Sequence, residues 1–277
     1  MRLFIEKYGD MKRYEVDQFD RLYSTVWGDS IHFGFYPAPD TPFDDAVRAA
    51  KRAMVRAAGL HRGHLVLEVA SGWGAAARHL ADEVGCRVIA TNYARRQADI
   101  AARRCARQIA AGAIRLAMAD YHALPFADAL FDAHWSQESL VHAQNKPQVF
   151  AEAFRVLKPG GMMVFTDQTT RRDSLTEAEA RRIADRHGSD DLWSEADFEA
   201  GLRAAGFGIA ALHDWTPHMA RHFRALHDRL ESHRAALSRH VDAALLDQNA
   251  DMWRWGAELA AAGKIGYAMV AARKPGG

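Results

Sequence analysis

The segment VLEVASGWGAAARHLA, residues 66–81, constrains the fold more than any other part of the chain. It joins a short apolar run to a helical pattern through two glycines, Gly72 and Gly74. Glycine permits a tight backbone turn and close approach to a ligand, and the N-terminus of the following helix offers unpaired N–H groups. The segment therefore predicts a strand, a turn and a helix that together bind a nucleotide-like ligand.

Apolar, strand-like runs alternate with helical patterns along the rest of the chain, which is typical of helices crossing over a parallel sheet. Predicted helices lie near residues 73–84, 94–111 and 147–156. The predicted strands are residues 64–70, 86–92, 113–120, 131–137, 161–168, 207–216 and 265–274. We therefore predict an α/β fold with a Rossmann-like, seven-stranded, mostly parallel sheet and helices on both faces.

The domain organisation is predicted to be simple. No Pro/Ser-rich linker, internal repeat or low-complexity tract divides the 277 residues, a length that fits one large domain. Within this domain we expect an N-terminal helical lid at residues 1–60 and a sheet core at residues 61–216 and 264–275. Residues 217–263 are predicted to be a helical insertion that forms a cap over the substrate.

Composition excludes several classes of partner. The 36 basic and 35 acidic residues give a net charge of +1, which supplies no field that attracts a polyanion. No window approaches the ~20 apolar residues of a membrane helix, and residues 1–17 lack the apolar core of a signal peptide. The two cysteines, Cys86 and Cys105, show neither metal-ligand nor CxxC spacing. We expect a cytoplasmic monomer or homodimer that binds neither nucleic acid nor a membrane.

Two features of the glycine turn discriminate between nucleotide ligands. Residues 72–77 satisfy G-x-G-x-x-A, but a dinucleotide site requires an acid about 20 residues later, where Asn92 ends the second strand. Glu68, just before the turn, would repel a pyrophosphate and would attract a ligand that carries an ammonium and a sulfonium. The turn favours a zwitterionic ligand. A nicotinamide-dependent oxidoreductase or a non-catalytic nucleotide-binding module is the alternative.

The chain contains three informative segments: LEVASGWG, ADYHALPFADALFDAHWSQESLVHA and AFRVLKPGGMMVFTDQ. Together these segments resemble the class I S-adenosylmethionine-dependent methyltransferases. Four segments give a narrower resemblance: VWGDSIHFGFY, WSQESLVH, ARHF and GKIGYAMVAARK. They resemble the sarcosine and dimethylglycine N-methyltransferases, which make glycine betaine. The resemblance implies S-adenosyl-L-methionine as cofactor and S-adenosyl-L-homocysteine as its product. It implies a small-molecule acceptor, with an amine as the first hypothesis and a carbon or oxygen of a specialised metabolite as the alternative.

The resemblance also implies which residues bind the cofactor. The segment from Glu68 to Gly74 should hold the methionine part, Asn92 the ribose and Tyr93 the adenine. The complete set of expected contacts is Tyr23, Trp27, Glu68, Ala70, Ser71, Gly72, Gly74, Asn92, Tyr93, Gln97, Asp120, Tyr121, Ser136 and Gln137. Tyr23 and Trp27 are expected to close over the sulfonium, because aromatic faces stabilise a cation.

An amino-acid acceptor would need a donor for its carboxylate, preferably an arginine. Arg221 and His222 in PHMARHF are candidates for this role, although His218 and His222 could equally form a solvated helix face. The expected acceptor contacts are His32, Gln137, His142, Trp215, Arg221, His222 and Tyr267. We expect no metal site, because no cysteine or acid completes a ligand set around the histidines of residues 213–227.

The catalytic residues are predicted to be His142 and Tyr23. His142 follows the fourth predicted strand and is the candidate general base, or alternatively an orienting hydrogen-bond donor. An amine that has already lost its proton needs no strong base, whereas an oxygen or carbon acceptor usually does. The sequence therefore leaves the need for a base open.

Overall fold

A seven-stranded mixed sheet forms the centre of the computed structural model, which describes residues 17–276. The strand order is β3-β2-β1-β4-β5-β7-β6. The strands are β1 (Leu65–Glu68), β2 (Arg87–Asn92), β3 (Ile114–Met118), β4 (Phe131–Gln137), β5 (Leu157–Thr170), β6 (Gly208–Asp214) and β7 (Ile265–Arg273). β7 runs antiparallel to both β5 and β6, and the remaining neighbours are parallel. The prediction of a seven-stranded, mostly parallel sheet is confirmed.

Helices connect most of the strands. The α-helices are α1 (Asp17–Val26), α2 (Phe43–Ala57), α3 (Ala75–His79), α4 (Arg95–Arg104), α5 (Ala106–Ala110), α6 (Lys146–Val156), α7 (Glu177–His187), α8 (Glu195–Ala204), α9 (Thr216–Leu237) and α10 (Ala243–Ala261). A π-helical turn (Leu80–Val84) extends α3, and 3-10 turns occur at Leu140–His142 and Arg172–Ser174. None of the helices within residues 17–276 is long and apolar enough to cross a membrane.

Two hydrophobic cores flank the sheet. Successive side chains of a strand point to opposite faces, so Val66 packs in one core and Leu67 in the other. Val164 and Phe165 on β5 divide in the same way. Burial on both faces explains why these strands read as nearly continuous apolar runs rather than as alternating ones.

The chain reverses its direction of travel across the sheet at β1. β2 and β3 follow on one side of β1, whereas β4 and β5 lie on the other. The loops that leave β1 and β4 therefore diverge, which opens a crevice beyond the carboxyl ends of these two strands. Any ligand of a sheet of this type is expected at that rim.

Most strands differ from their predicted bounds by a few residues, and the differences of β1 and β5 have a structural reason. β1 ends at Glu68 rather than at residue 70, because Ala70 adopts a positive φ of 51° that removes it from the extended conformation. β5 is longer than predicted and begins at Leu157, which pairs with Phe131 before a bulge shifts the register. The LKPGG segment, with Gly160 at a φ of 78°, is therefore the irregular start of the strand.

Both ends of the predicted domain contribute helices. Residues 1–16 of the expected N-terminal lid lie outside the described residues, and α1 and α2 occupy much of the remainder up to residue 60. α9 and α10 fill the stretch between β6 and β7 and pack against each other. An ion pair between Arg234 Nη1 and Asp247 Oδ1, 2.7 Å apart, links these two helices.

Candidate functional site

A cavity of about 900 Å³, which we call the first cavity, opens at the carboxyl ends of β1, β2 and β4. This volume includes the open mouth of the cavity. The described residues that line it are Ile31, His32, Ala70, Gly72, Trp73, Ala75, Asn92, Tyr93, Gln97, Ala119, Asp120, Tyr121, Gln137, Glu138, Ser139 and His142. Most of the side chains expected to bind the cofactor therefore meet at one site.

The two glycines of the turn are required for different reasons. A Cβ on Gly72, which has a φ of 51°, would meet no heavy atom within 4 Å, so this backbone is exposed to a ligand. A Cβ on Gly74, at a φ of 74°, would lie 2.5 Å from Cys105 Sγ. Gly74 does not line the first cavity, and it allows the start of α3 to pack against Cys105. The prediction that both glycines approach the ligand fits the position of Gly72 alone.

Asn92 fastens the end of β2 to the glycine turn. Its Nδ2 donates to the carbonyl of Gly72 at 3.1 Å and to Gln97 Oε1 at 3.3 Å, and its Oδ1 accepts from the Ala94 amide at 3.1 Å. These contacts fix the amide at the wall of the first cavity. Asn92 thus occupies the position beside the turn where the resemblance predicts a contact with the ribose.

The loop after β3 supplies the opposite wall. Asp120 Oδ1 accepts from the backbone and ring nitrogens of His122 at 2.9 and 2.8 Å, which holds the carboxylate at the rim. The Tyr121 hydroxyl donates to the carbonyl of Ser139 at 3.3 Å and ties this loop to the one that follows β4. Tyr93 also lines the first cavity, so two aromatic rings are available to a planar base.

Glu138, which follows the last residue of β4, is held by three side-chain contacts. Its φ of 46° is unusual for a residue with a side chain. Oε2 lies 2.7 Å from His32 Nδ1, and Oε1 accepts hydrogen bonds from Thr166 Oγ1 at 2.8 Å and from the Tyr267 hydroxyl. Burial and the charge of Glu138 raise the pKa of Tyr267 well above its usual value, so Tyr267 keeps its proton and donates.

Glu138 was not among the site residues predicted from the sequence, although Gln137 and His142 were. One signal was available: Glu138 is the acid nearest to the end of β4 in a sheet whose strand ends form the site. Three of its contacts involve residues more than 25 positions away in the chain, and periodicity cannot reveal such contacts.

A second cavity, of about 1090 Å³, adjoins the first. Ile31, Glu138 and His142 line both cavities. The remaining described lining residues are Tyr23, Trp27, Phe33, Val141, Lys146, Gln168, Thr170, Ile183, Arg186, His187, Asp191, Leu192, Trp193, Phe223, Met252, Trp253, Trp255, Gly256, Leu259 and Ile265. Two ligands bound in the two cavities would therefore meet beside Glu138 and His142.

His142 has a defined tautomer when neutral. Its Nδ1 lies 2.8 Å from the carbonyl oxygen of His187, which can only accept, so Nδ1 carries the proton and Nε2 the lone pair. Asp167 Oδ2 accepts from the amides of Leu140 and Val141 at 2.6 and 3.2 Å and holds the 3-10 turn that carries His142. Burial, followed by the charge of Glu138, raises the pKa of Asp167 to about 7.

Several expected cofactor residues lie elsewhere. Tyr23 and Trp27 line the second cavity rather than the first. Glu68 is 2% exposed and lies behind the glycine turn, where burial raises its pKa to about 8 against the charges of Lys51 and Arg78. Ser71 and Ser136 are also buried without lining the first cavity. The carboxyl group of Glu68, on which the predicted preference for a zwitterion is based, therefore does not face the first cavity.

Four expected acceptor residues, Trp215, Arg221, His222 and Tyr267, line neither cavity. Arg221 donates to the carbonyls of Ala38 and Thr41, each at 3.0 Å, and therefore fastens the N-terminal segment to α9. His222 is fully buried against the hydroxyl of Tyr36, so the alternative of a solvated helix face is wrong for this residue.

Comparisons with known proteins agree with this geometry. A family model described as a methyltransferase domain matches residues 67–165. The chain is 30% identical over 240 residues to a sarcosine/dimethylglycine N-methyltransferase from Halorhodospira halochloris, with 85% of each chain covered. It is also 30% identical over 269 residues to a dimethylglycine N-methyltransferase from Parasynechococcus marenigrum, which covers 95% of this chain and 94% of the relative.

A solved structure shares the fold. The crystal structure of a Galdieria sulphuraria protein described as a sarcosine dimethylglycine methyltransferase superposes with a TM-score of 0.84 at 24% identity. The match covers 94% of this chain and 99% of the other. The likeness therefore extends over the helices around the second cavity as well as over the sheet.

Proposed function

The chain belongs to the class I S-adenosylmethionine-dependent methyltransferases, and on this premise we propose that it methylates an amine nitrogen of a small molecule bound in the second cavity. The observation that carries the proposal is the position of Glu138 where the two cavities meet. The names of the relatives make sarcosine and dimethylglycine the first acceptors to test.

The residues of the first cavity suit the cofactor. Gly72 leaves room for a ligand against the backbone, and Gln137 Nε2 is a buried donor without a partner among the described residues. Asn92 and Asp120 would hold the ribose and the adenine edge, between Tyr93 and Tyr121. When bound, S-adenosyl-L-methionine supplies an electrophilic methyl group on a positively charged sulfur. The protein has to orient the acceptor behind that methyl group and exclude water.

An amine gains positive charge as it receives a methyl group. Glu138 presents a carboxylate at this point, and the rings of Tyr23, Trp27 and Phe33 line the same cavity. A desolvated cation is stabilised by about 1–2 kcal/mol on an aromatic face. His32, Thr166 and Tyr267 fix the carboxylate before the substrate binds, so little reorganisation is needed during the reaction.

Product analysis tests this proposal. The purified enzyme would be incubated with S-adenosyl-L-methionine and a panel of primary, secondary and tertiary amines, including sarcosine and dimethylglycine, with phenols and alcohols of matched size for comparison. We expect mass increases of one methyl group on the amines. Methylation of the hydroxyl compounds alone would contradict the proposal.

Methylation of an oxygen is the second candidate. It is favoured by His142, whose Nδ1–H is held by the carbonyl of His187 and whose Nε2 carries the lone pair that a general base requires. His142→Gln separates the two candidates: a hydroxyl acceptor should lose about a hundredfold or more in kcat/KM. An amine supplied above its own pKa should lose much less, because no proton has to be removed.

We also propose a cytoplasmic location and a monomeric or homodimeric state. Cys86 and Cys105 are both buried free thiols, which suits a reducing compartment. Fractionation of the native host and light scattering of the purified protein test these two points.

A further inference from the structure

We infer that the physiological acceptor carries an apolar body comparable in size to the cofactor, joined to the nitrogen that is methylated. The inference rests on the proposed function, since it takes the second cavity as the acceptor site. It differs from the relatives' names, which specify N-methylated glycines. Four properties of the second cavity support it: its size, the chemistry of its wall, its direction and the charges at its inner end.

The second cavity is larger than the first, which is proposed to hold an entire nucleoside with its amino-acid chain. The space within the two cavities, including their open mouths, is about 1090 Å³ for the second and about 900 Å³ for the first. An N-methylated glycine is a small fraction of that nucleoside. It would leave most of the wall in contact with water, which is unfavourable for apolar surface.

The wall is mainly apolar and aromatic. α10 supplies a continuous face of five residues: Met252, Trp253, Trp255, Gly256 and Leu259. Positions separated by three, four and seven residues share one side of a helix, so this face runs along about two turns. Met252 and Trp255 remain partly exposed, and a bound apolar molecule would cover them.

The second cavity runs from an inner end beside the first cavity to an outer end at the protein surface. Its inner end is defined by Glu138 and His142, which it shares with the first cavity. Its outer end is defined by Arg186 and Met252, which also line an open groove on the surface. A nitrogen at the inner end would therefore place the rest of the acceptor along α10 towards the groove.

The charges at the inner end disfavour a carboxylate next to the nitrogen. Glu138 would repel it. Lys146 has no N–H left to bind that carboxylate, because it already donates to the carbonyls of Ala143 and Asp191 and to Asp191 Oδ2, at 3.2, 2.5 and 3.3 Å. Arg186 lies at the outer end, where its Nη2 donates to the Tyr23 hydroxyl at 2.9 Å. An amine on an apolar body satisfies this arrangement, and an α-amino acid does not.

A binding series tests the inference without relying on turnover. The enzyme, saturated with S-adenosyl-L-homocysteine, would be titrated by calorimetry with dimethylglycine and with N,N-dimethylalkylamines of increasing chain length. We expect the affinity to rise roughly tenfold for every two methylenes buried, until the cavity is full. An affinity that stays flat along the series, or that is highest for dimethylglycine, would overturn the inference.

A matched pair of variants locates the binding. Met252→Trp fills the apolar face of α10 and should weaken the longest amine at least tenfold while leaving the shortest unchanged. Glu258→Trp introduces the same side chain at an exposed position of the same helix and should bind the whole series like the wild type. Unchanged binding of the longest amine by Met252→Trp would also overturn the inference.

The binding series and the product assay fail independently. If long amines bind as expected and no amine is methylated, the proposal of N-methylation fails, while the preference of the second cavity for an apolar ligand stands. If dimethylglycine is methylated efficiently and long amines do not bind, N-methylation stands and the apolar body is wrong.

Discussion

His32 Nδ1 lies 2.7 Å from Glu138 Oε2, which joins the segment after α1 to the residue that follows β4 across 106 positions of the chain. Glu138 also accepts from Thr166 on β5 and from Tyr267 on β7. One carboxylate thus connects the N-terminal segment with three strands of the sheet. Its position between the two cavities explains why its orientation should affect turnover more than folding.

Glu138→Gln should lower kcat/KM for an amine acceptor about a hundredfold, because the amide keeps the size of the side chain and removes the charge that stabilises the developing ammonium. Binding of S-adenosyl-L-homocysteine should change by only a few fold. Steady-state kinetics and calorimetric titration measure the two effects. A variant with nearly normal kcat/KM would contradict the role given to Glu138.

Tyr267→Phe tests the positioning of Glu138, since it removes one hydrogen bond and keeps the ring. Tyr36→Phe is the matched control, because Tyr36 also has a buried hydroxyl bond, to His222 Nδ1 at 2.8 Å, and lines neither cavity. Each variant should lose about 1 kcal/mol of unfolding free energy. Only Tyr267→Phe should lower kcat/KM, by about tenfold. Equal losses of kcat/KM would show that neither effect concerns the site.

Gly72→Ala and Gly74→Ala should separate ligand binding from packing. Gly74→Ala places a methyl group 2.5 Å from Cys105 Sγ and should cost about 2–4 kcal/mol of stability, measured by denaturant unfolding. Gly72→Ala meets no protein atom and should cost only the strain of its positive φ, about 1–2 kcal/mol. It should weaken S-adenosyl-L-homocysteine binding at least tenfold, because its methyl group projects into the site.

The double variant Gly74→Ala/Cys105→Ala provides a control for this explanation. Removing the sulfur should restore part of the stability that Gly74→Ala loses, so the two changes should not be additive. Additive losses would mean that the contact with Cys105 is not the cause.

Asp167 should make stability depend on pH. Burial raises the pKa of Asp167 to about 7, above the unfolded value of about 4. The folded state therefore binds more protons between these values, and the free energy of unfolding should fall as pH rises from 4 to 7. The contribution of Asp167 to this slope is at most about 1.4 kcal/mol per pH unit.

Asp167→Asn should make that slope shallower, as measured by urea unfolding at several pH values. Asp173→Asn, at an exposed position on the 3-10 turn after β5, should keep the slope of the wild type. A slope that is the same in all three proteins would assign the pH dependence to other groups.

The sequence by itself determined the parts of this protein that depend on local patterns. Apolar runs and helical periodicity predicted the seven strands, and the glycine turn predicted the edge of the sheet that holds the site. Gly72, Asn92 and Asp120 could be placed on one cavity because each lies at or shortly after the carboxyl end of a parallel strand, and these ends meet at one edge of the sheet.

Only the tertiary structure decided which distant side chains reach the second cavity. Arg186 and Arg221 both lie on helices, and nothing in the sequence distinguishes their surroundings. In the structure Arg221 donates to the carbonyls of Ala38 and Thr41, whereas Arg186 lines the second cavity. The carboxylate of Glu138 is positioned by partners on three separate segments of the chain. Gly74 is required because the start of α3 packs against Cys105. These contacts depend on how helices pack and rotate against the sheet, and packing of remote segments leaves no periodic signal in the chain.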